Sequence, residues 1–157
     1  PQPSLGGRIK LMALKISLKP HERMIIGGAV ITNGHTRSDF IIENNAPILR
    51  QKDIMREQDA NSPCKRIYMV IQLMYVDEKN LTTYHNLYWK LVRSLIKAAP
   101  SVLGLTDQIS EHLLNSQYYQ ALKLTRRLIQ YEEEAIEHVR KATGSLQSYR
   151  QSNHVRP

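Results

Sequence analysis

Apolar residues in this chain change their spacing once, and that change limits the fold more than any motif does. Up to Leu49 they come in short runs closed by turn-forming residues; from Tyr84 onward they recur every three or four positions. Such a pattern places β-structure first and helices after it. In the first run Leu14, Ile16 and Leu18 alternate with Lys15, Ser17 and Lys19, giving a strand with one apolar face and one polar, cationic face. Pro20-His21 break it. Met24 to Ile26 form a second run ending at Gly27-Gly28, and Ala29 to Thr32 a third ending at Asn33-Gly34, a pair suited to positive φ in a tight hairpin. Phe40 to Ile42 make a fourth, closed by Asn44-Asn45. Ile48-Leu49 follow Pro47, which has no N–H to give to a ladder and marks a sheet edge or a strand start. Five short strands within about 40 residues predict a small antiparallel sheet or barrel that buries little core by itself.

Residues 51 to 61 are polar and aperiodic. Ser62-Pro63 then supplies a helix start: a hydroxyl able to cap free amides, and a proline whose missing N–H costs nothing in the first turn. The segment Ile67 to Val76 is so apolar that periodicity leaves buried helix and buried strand both open; the start signal and the length favour helix. Tyr84, Leu87, Tyr88, Leu91, Val92, Leu95 and Ile96 form one broad stripe, which Pro100 ends. Leu103, Ile109, Leu113 and Leu114 mark a further helix, expected to be capped around Thr106 or Asp107. After a hinge at Asn115-Ser116, Tyr118 to Val139 mark a last helix of about 23 residues, with a frayed tail from Gly144. The expected fold is α+β: a leader over 1–11, expected to be disordered; an antiparallel five-stranded β lobe over 12–60; an α-helical region over 61–141; and a basic, flexible tail over 142–157. Met12-Ala13 reads as the natural start.

Composition narrows the class. Of 157 residues 41% are hydrophobic, which argues against disorder throughout. No apolar run approaches the roughly 18 to 20 residues that span a bilayer. No secretory signal pattern is present, and a lone cysteine, Cys64, cannot form an internal disulfide, so a cytoplasmic protein is the expectation. The net charge of +8 sits mostly at the ends: between positions 12 and 139 there are 16 basic and 14 acidic residues, a net of only +2. The basic tail can bind RNA or anionic surfaces without sequence preference, or serve only as a soluble end.

No nucleophile elbow, phosphate loop or dinucleotide fingerprint occurs, and a non-enzymatic protein without a cofactor is expected. The histidines are scattered. Glu132-Glu133-Glu134 with Glu137 and His138 form the densest ligand-like cluster, read here as a solvated helix face because bundle metal sites need matching ligands from other helices. Cys64, near a helix start, reads as structural, with a lowered pKa as the alternative. For recognition the candidates are Lys15 and Lys19 on the first strand and Arg50 after the last, with Ser17 and Gln51 beside them. If the first and last strands lie side by side, these cations converge on an edge that can pair with phosphates. The same lysines also serve simply to discourage sheet aggregation. A second candidate surface is aromatic: Trp89 and Tyr119 in the helices, suited to a protein partner if exposed.

The stretches Leu14 to Gly34, Phe40 to Ile54 and Lys65 to Val76 resemble the flagellar biosynthesis repressor FlbT family, specifically over Met12 to about Val76 and more weakly through the helices. The resemblance implies post-transcriptional control of flagellin synthesis through the 5′ untranslated region of flagellin mRNA, repressive or, in some bacteria, positive, alongside a small regulator, FlaF. It leaves open an adapter that binds FlaF or flagellin through its helices and affects the message indirectly. A more distant likeness links the N-terminal part to the carbon storage regulator CsrA: Glu22 with Met24 to Gly27, Asn45-Ala46-Pro47, and Asp53-Ile54 match its turn, its Asn-Ala-Pro and its helix opening. That likeness implies a CsrA-like lobe, RNA contact by two first-strand arginines and one near the last strand, and a homodimer. On the Gly27 register the arginine pair falls at Leu18 and Lys19, and on the Ile54 register the third falls at Gln51, one residue from Arg50. Lysine does not reproduce the planar, two-pronged contact of arginine.

Overall fold

The computed structural model describes residues 13–153 and is α+β, with five strands and four α-helices among them. It divides between Ile54 and Met55 into two compact units. In the first, β1 (Leu14–Leu18) pairs antiparallel with β4 (Ser38–Ile42), while β2 (Arg23–Ile26) lies between β3 (Ala29–Thr32) and β5 (Ile48–Arg50) in a three-stranded antiparallel sheet. Gly27 and Gly28 join β2 to β3 with φ of 54° and 86°, the positive pair that a two-residue hairpin of the right twist demands. Pro47 precedes β5, which is an edge strand as its missing N–H requires. Ile16, Leu18 and Met24 form the core of this unit, with Ile26, Phe40, Ile42 and Ile48 packed on it. The alternation along β1 holds at Ile16 and Leu18 and fails at Leu14, which is exposed at the strand start.

Two expectations for this unit are corrected. β1 and β5 are not neighbours; they lie in different sheets, because β5 is drawn to β2 through the Met24↔Arg50 to Ile26↔Ile48 register. Nor is Asn33-Gly34 a positive-φ turn. The positive φ falls at His21 instead, and Asn33 is buried. Its amide nitrogen sits 3.1 Å from the Leu18 carbonyl, 2.9 Å from that of Lys19 and 2.9 Å from that of Thr36, while its oxygen accepts the Gly34 N–H at 2.9 Å. Competing carbonyls from β1 and the β3–β4 connection turn a turn-former into a clamp.

The second unit is helical. In α1 (Pro63–Val76) the Ser62 hydroxyl accepts the Lys65 N–H, with Pro63 in the first turn, as the sequence predicts. The helix buries Ile67, Tyr68, Val70, Ile71 and Met74, and it packs on α2 (Leu81–Ala98) and α4 (Tyr118–Ser152). Gln72, isolated in the apolar run, accepts the Met55 N–H at its oxygen (2.8 Å) and donates from its nitrogen to the Met55 carbonyl (3.0 Å). That two-way match pins the chain just before the helices. α2 buries Tyr88, Val92 and Leu95 from its stripe. α3 (Leu103–Leu114) starts earlier than expected: Thr106 lies inside the helix and donates to the Val102 and Leu103 carbonyls instead of capping it. The hinge at Asn115-Ser116 is present, with Ser116 at φ 56°. α4 runs 35 residues, past the expected end and through Gly144 to Ser152. From Glu133 onward every described residue of it is exposed. Among the described residues no helix is long and apolar enough to cross a membrane. The expected leader over 1–11 lies outside the described residues.

Candidate nucleic-acid interface

The middle of β1 gathers charge in a way its own sequence only half announces. Ser17 faces Asp39 across the β1–β4 ladder. Arg37, just before β4, donates from Nε to the Ser17 hydroxyl at 2.9 Å, and Arg50 reaches from β5 to donate from Nη2 to the Ser17 main-chain carbonyl at 2.7 Å. So a side chain, not strand pairing, brings Arg50 to β1. Arg50 also meets Glu22 at 3.4 Å, with its side chain 40% exposed. Lys15 lies 3.7 Å from Asp39 and is 72% exposed, and Lys19 stands exposed just after β1.

Four cations thus converge on five residues of one strand, opposed by two carboxylates. Asp39 is held below the usual carboxylate range by the Ser17 hydrogen bond first and by the Lys15 charge next. Glu22 is held low chiefly by the Lys19 N–H, which it accepts at 2.8 Å; burial works against this, and the Arg50 charge adds to the lowering. Both stay ionised near neutral pH, so the rim keeps a modest positive excess. A guanidinium fastened to main chain at one edge can still offer its other N–H groups to a phosphate.

Lys15, Ser17, Lys19 and Arg50 therefore come together. Gln51 is placed otherwise: its side-chain oxygen accepts the Arg23 N–H at 2.7 Å, tying the start of β2 to the turn after β5. Arg37 and Asp39 escaped the sequence reading because β4 was recognised from Phe40, its first large apolar residue. The polar Arg37-Ser38-Asp39 before it gives no hydrophobic signal. His21 and His35 also meet, ring to ring at 5.6 Å, yet among the described residues no set of three ligands could hold a metal.

In the helical unit the aromatic candidates are half-buried. Trp89 packs edge-on against Tyr88 at 5.2 Å, and Tyr119 lies between Tyr75 at 6.3 Å and the Lys123 ammonium at 4.8 Å. The acidic cluster is partly structural: Glu132 accepts the Cys64 N–H at 3.1 Å at the start of α1, and Glu133 lies 3.9 Å from Lys65. Burial first, and the Glu132 carboxylate next, push the Cys64 pKa up to about 12, the reverse of the lowered value open from sequence. It is a structural thiol.

Comparison with known proteins matches the chain to a family. A curated relative, the probable flagellum biosynthesis repressor protein FlbT of Rhodopseudomonas palustris (strain TIE-1), is 44% identical over 125 residues, covering 80% of this chain and 98% of that one. FlbT 1 of Bradyrhizobium diazoefficiens is 46% identical over 123 residues, covering 78% and 84%. The flagellum biosynthesis repressor protein FlbT of Caulobacter vibrioides is 36% identical over 130 residues, covering 82% and 92%. No solved structure matches at a significant level. The model of the family described as flagellar protein FlbT matches residues 14–136, from the β lobe through α3 and into the first half of α4, and the chain belongs to that family.

Proposed function

We propose that this protein represses flagellum biosynthesis after transcription, binding the 5′ untranslated region of flagellin mRNA through the rim formed by Lys15, Lys19, Arg37 and Arg50. The regulatory role follows the relatives, which are named as flagellum biosynthesis repressors; the RNA contact rests on the Arg50–Ser17 attachment, which sets a guanidinium among the strand's exposed cations. Such a rim suits a flexible single strand, whose phosphates adapt to scattered cations.

The test is a gel-shift titration of the flagellin leader RNA at several salt concentrations, comparing wild type with the Lys15→Ala/Lys19→Ala/Arg37→Ala variant, which leaves the Arg50 attachment in place. Loss of three phosphate contacts lowers the slope of log affinity against log salt by about 2. It weakens binding to unrelated RNA to a similar degree. Unchanged slope and affinity would reject the rim. The rival reading, an adapter that holds FlaF or flagellin through Trp89 and Tyr119, needs those rings exposed, and both are half-buried among their own neighbours. A partner that survives ribonuclease treatment in a pull-down, and is lost on Trp89→Ala, would favour it.

A further inference from the structure

Among the described residues, the C-terminal half of α4 meets the rest of the chain only at its start, where Glu133 lies 3.9 Å from Lys65. From Glu133 to Ser152 every residue is exposed, a stretch of 20 residues or about 30 Å of helix at 1.5 Å per residue. A helix of that length without tertiary packing is marginal in water. Yet this one carries an apolar line: Ile136, Val139, Leu146 and Tyr149 are each between 60% and 68% exposed. Ala142 and Thr143 fill the gap between them, giving spacings of three and four along a single face. The Thr143 hydroxyl is satisfied by the Val139 carbonyl at 2.9 Å, which leaves its methyl group for packing. A scattered exposed aliphatic needs no account, but a heptad-like line along an unpacked helix does.

Charge says what covers it. The beginning of the arm is acidic, with Glu133, Glu134 and Glu137, the last paired along the helix with Arg140 and Lys141, whereas Arg150 sits on the apolar line near the far end. Two arms laid parallel and in register would set Arg150 against Arg150 and the glutamates against one another. Laid antiparallel, with Val139 of one copy opposite Leu146 of the other, they bring Arg150 beside the partner copy's acidic turn. The same register pairs Ile136 with Tyr149 and puts Ala142 and Thr143 at the two-fold axis.

We propose that the protein self-associates through residues 133–152 of α4, which form an antiparallel two-helix coil with the same segment of a second copy. This rests on the helix arm alone and is independent of the RNA reading.

Sedimentation equilibrium of the full chain between about 1 and 100 µM tests it, wild type against Val139→Lys/Leu146→Lys. Because the arm lies outside the packed helices, far-UV circular dichroism of the bundle and its thermal transition serve as the folding control. Wild type is expected to dimerise in this range, and the variant to weaken association by roughly a hundredfold or more, since each lost contact is lost twice by symmetry. Orientation is read by oxidative crosslinking. Chains carrying Ile136→Cys crosslink with chains carrying Tyr149→Cys, while neither crosslinks with itself; the buried Cys64 does not interfere. A monomeric wild type at 100 µM, a dimer that the double substitution leaves intact, or self-crosslinking at 136 would each overturn the proposal.

Discussion

Replacing Asn33 by aspartate takes away both N–H donors of the clamp at the heart of the β lobe and sets a carboxylate in their place. The wild-type nitrogen serves three carbonyls, of Leu18, Lys19 and Thr36, at 2.9 to 3.1 Å from a buried position. The side-chain oxygen that accepts from Gly34 is retained in aspartate. Two lost hydrogen bonds at about 1 kcal/mol each, with about 1 to 2 kcal/mol more for carbonyls left without a donor beside a carboxylate, give about 3 to 4 kcal/mol. For a small lobe that is a large part of its stability. Hydrogen exchange is the assay of choice, because the only tryptophan, Trp89, lies in the other unit and does not report on the strands. The amides of β1 and β4 should exchange roughly 150- to 700-fold faster at neutral pH, one factor of ten for each 1.4 kcal/mol. Those of α1 to α4 provide the internal standard. An acceleration below about threefold in β1 and β4 would refute the clamp, since it corresponds to less than 1 kcal/mol.

The two-way amide bond from Gln72 to Met55 gives a second prediction: Gln72→Leu leaves that main-chain N–H and carbonyl without their partner and lowers the urea midpoint of the helical unit, followed by Trp89 fluorescence, by an equivalent of about 2 kcal/mol. An unchanged midpoint would show the junction to be indifferent to it. A third concerns alkali. Burial raises Cys64 from 9.0 to about 12 and Tyr88 from 10.0 to about 12, so both stay protonated in the fold while an unfolded chain ionises them first. The stability they confer is complete below pH 9 and is given up as the pH rises towards 12. Urea midpoints from pH 7 to 11 should fall only above pH 9, and less steeply in Tyr88→Phe, whose partner Ser110 keeps the Thr106 carbonyl at 2.8 Å. A flat profile to pH 11 would contradict the burial of both groups.

Local pattern reached the elements and stopped at their partners. Each of the five runs became a strand, and Ser62-Pro63 opens α1, because alternation, glycine pairs and caps act within a few residues. Strand order was not legible: nothing in Leu14 to Leu18 states that Ser38 to Ile42 lies beside it. The same gap explains the site. Lys15, Lys19 and Arg50 were found as charges, whereas Arg37 and Asp39 enter only through the ladder register. The turn propensity of Asn33 is overridden by two distant carbonyls, of Leu18 and Lys19, together with the nearby one of Thr36. Gly144 suggested an end to α4, but a glycine in a helix costs only about 1 kcal/mol and the flanking residues carry the helix past it.

The hydrogen bond from Arg50 ends on the peptide oxygen of residue 17, not on its hydroxyl. Every amino acid brings that oxygen, so drift at position 17 costs the attachment nothing, whereas no change at 17 can make good the loss of a forked cation at 50. Comparing sequences across bacteria should therefore reveal lopsided tolerance: more variety at 17 than at the residue that leans on it.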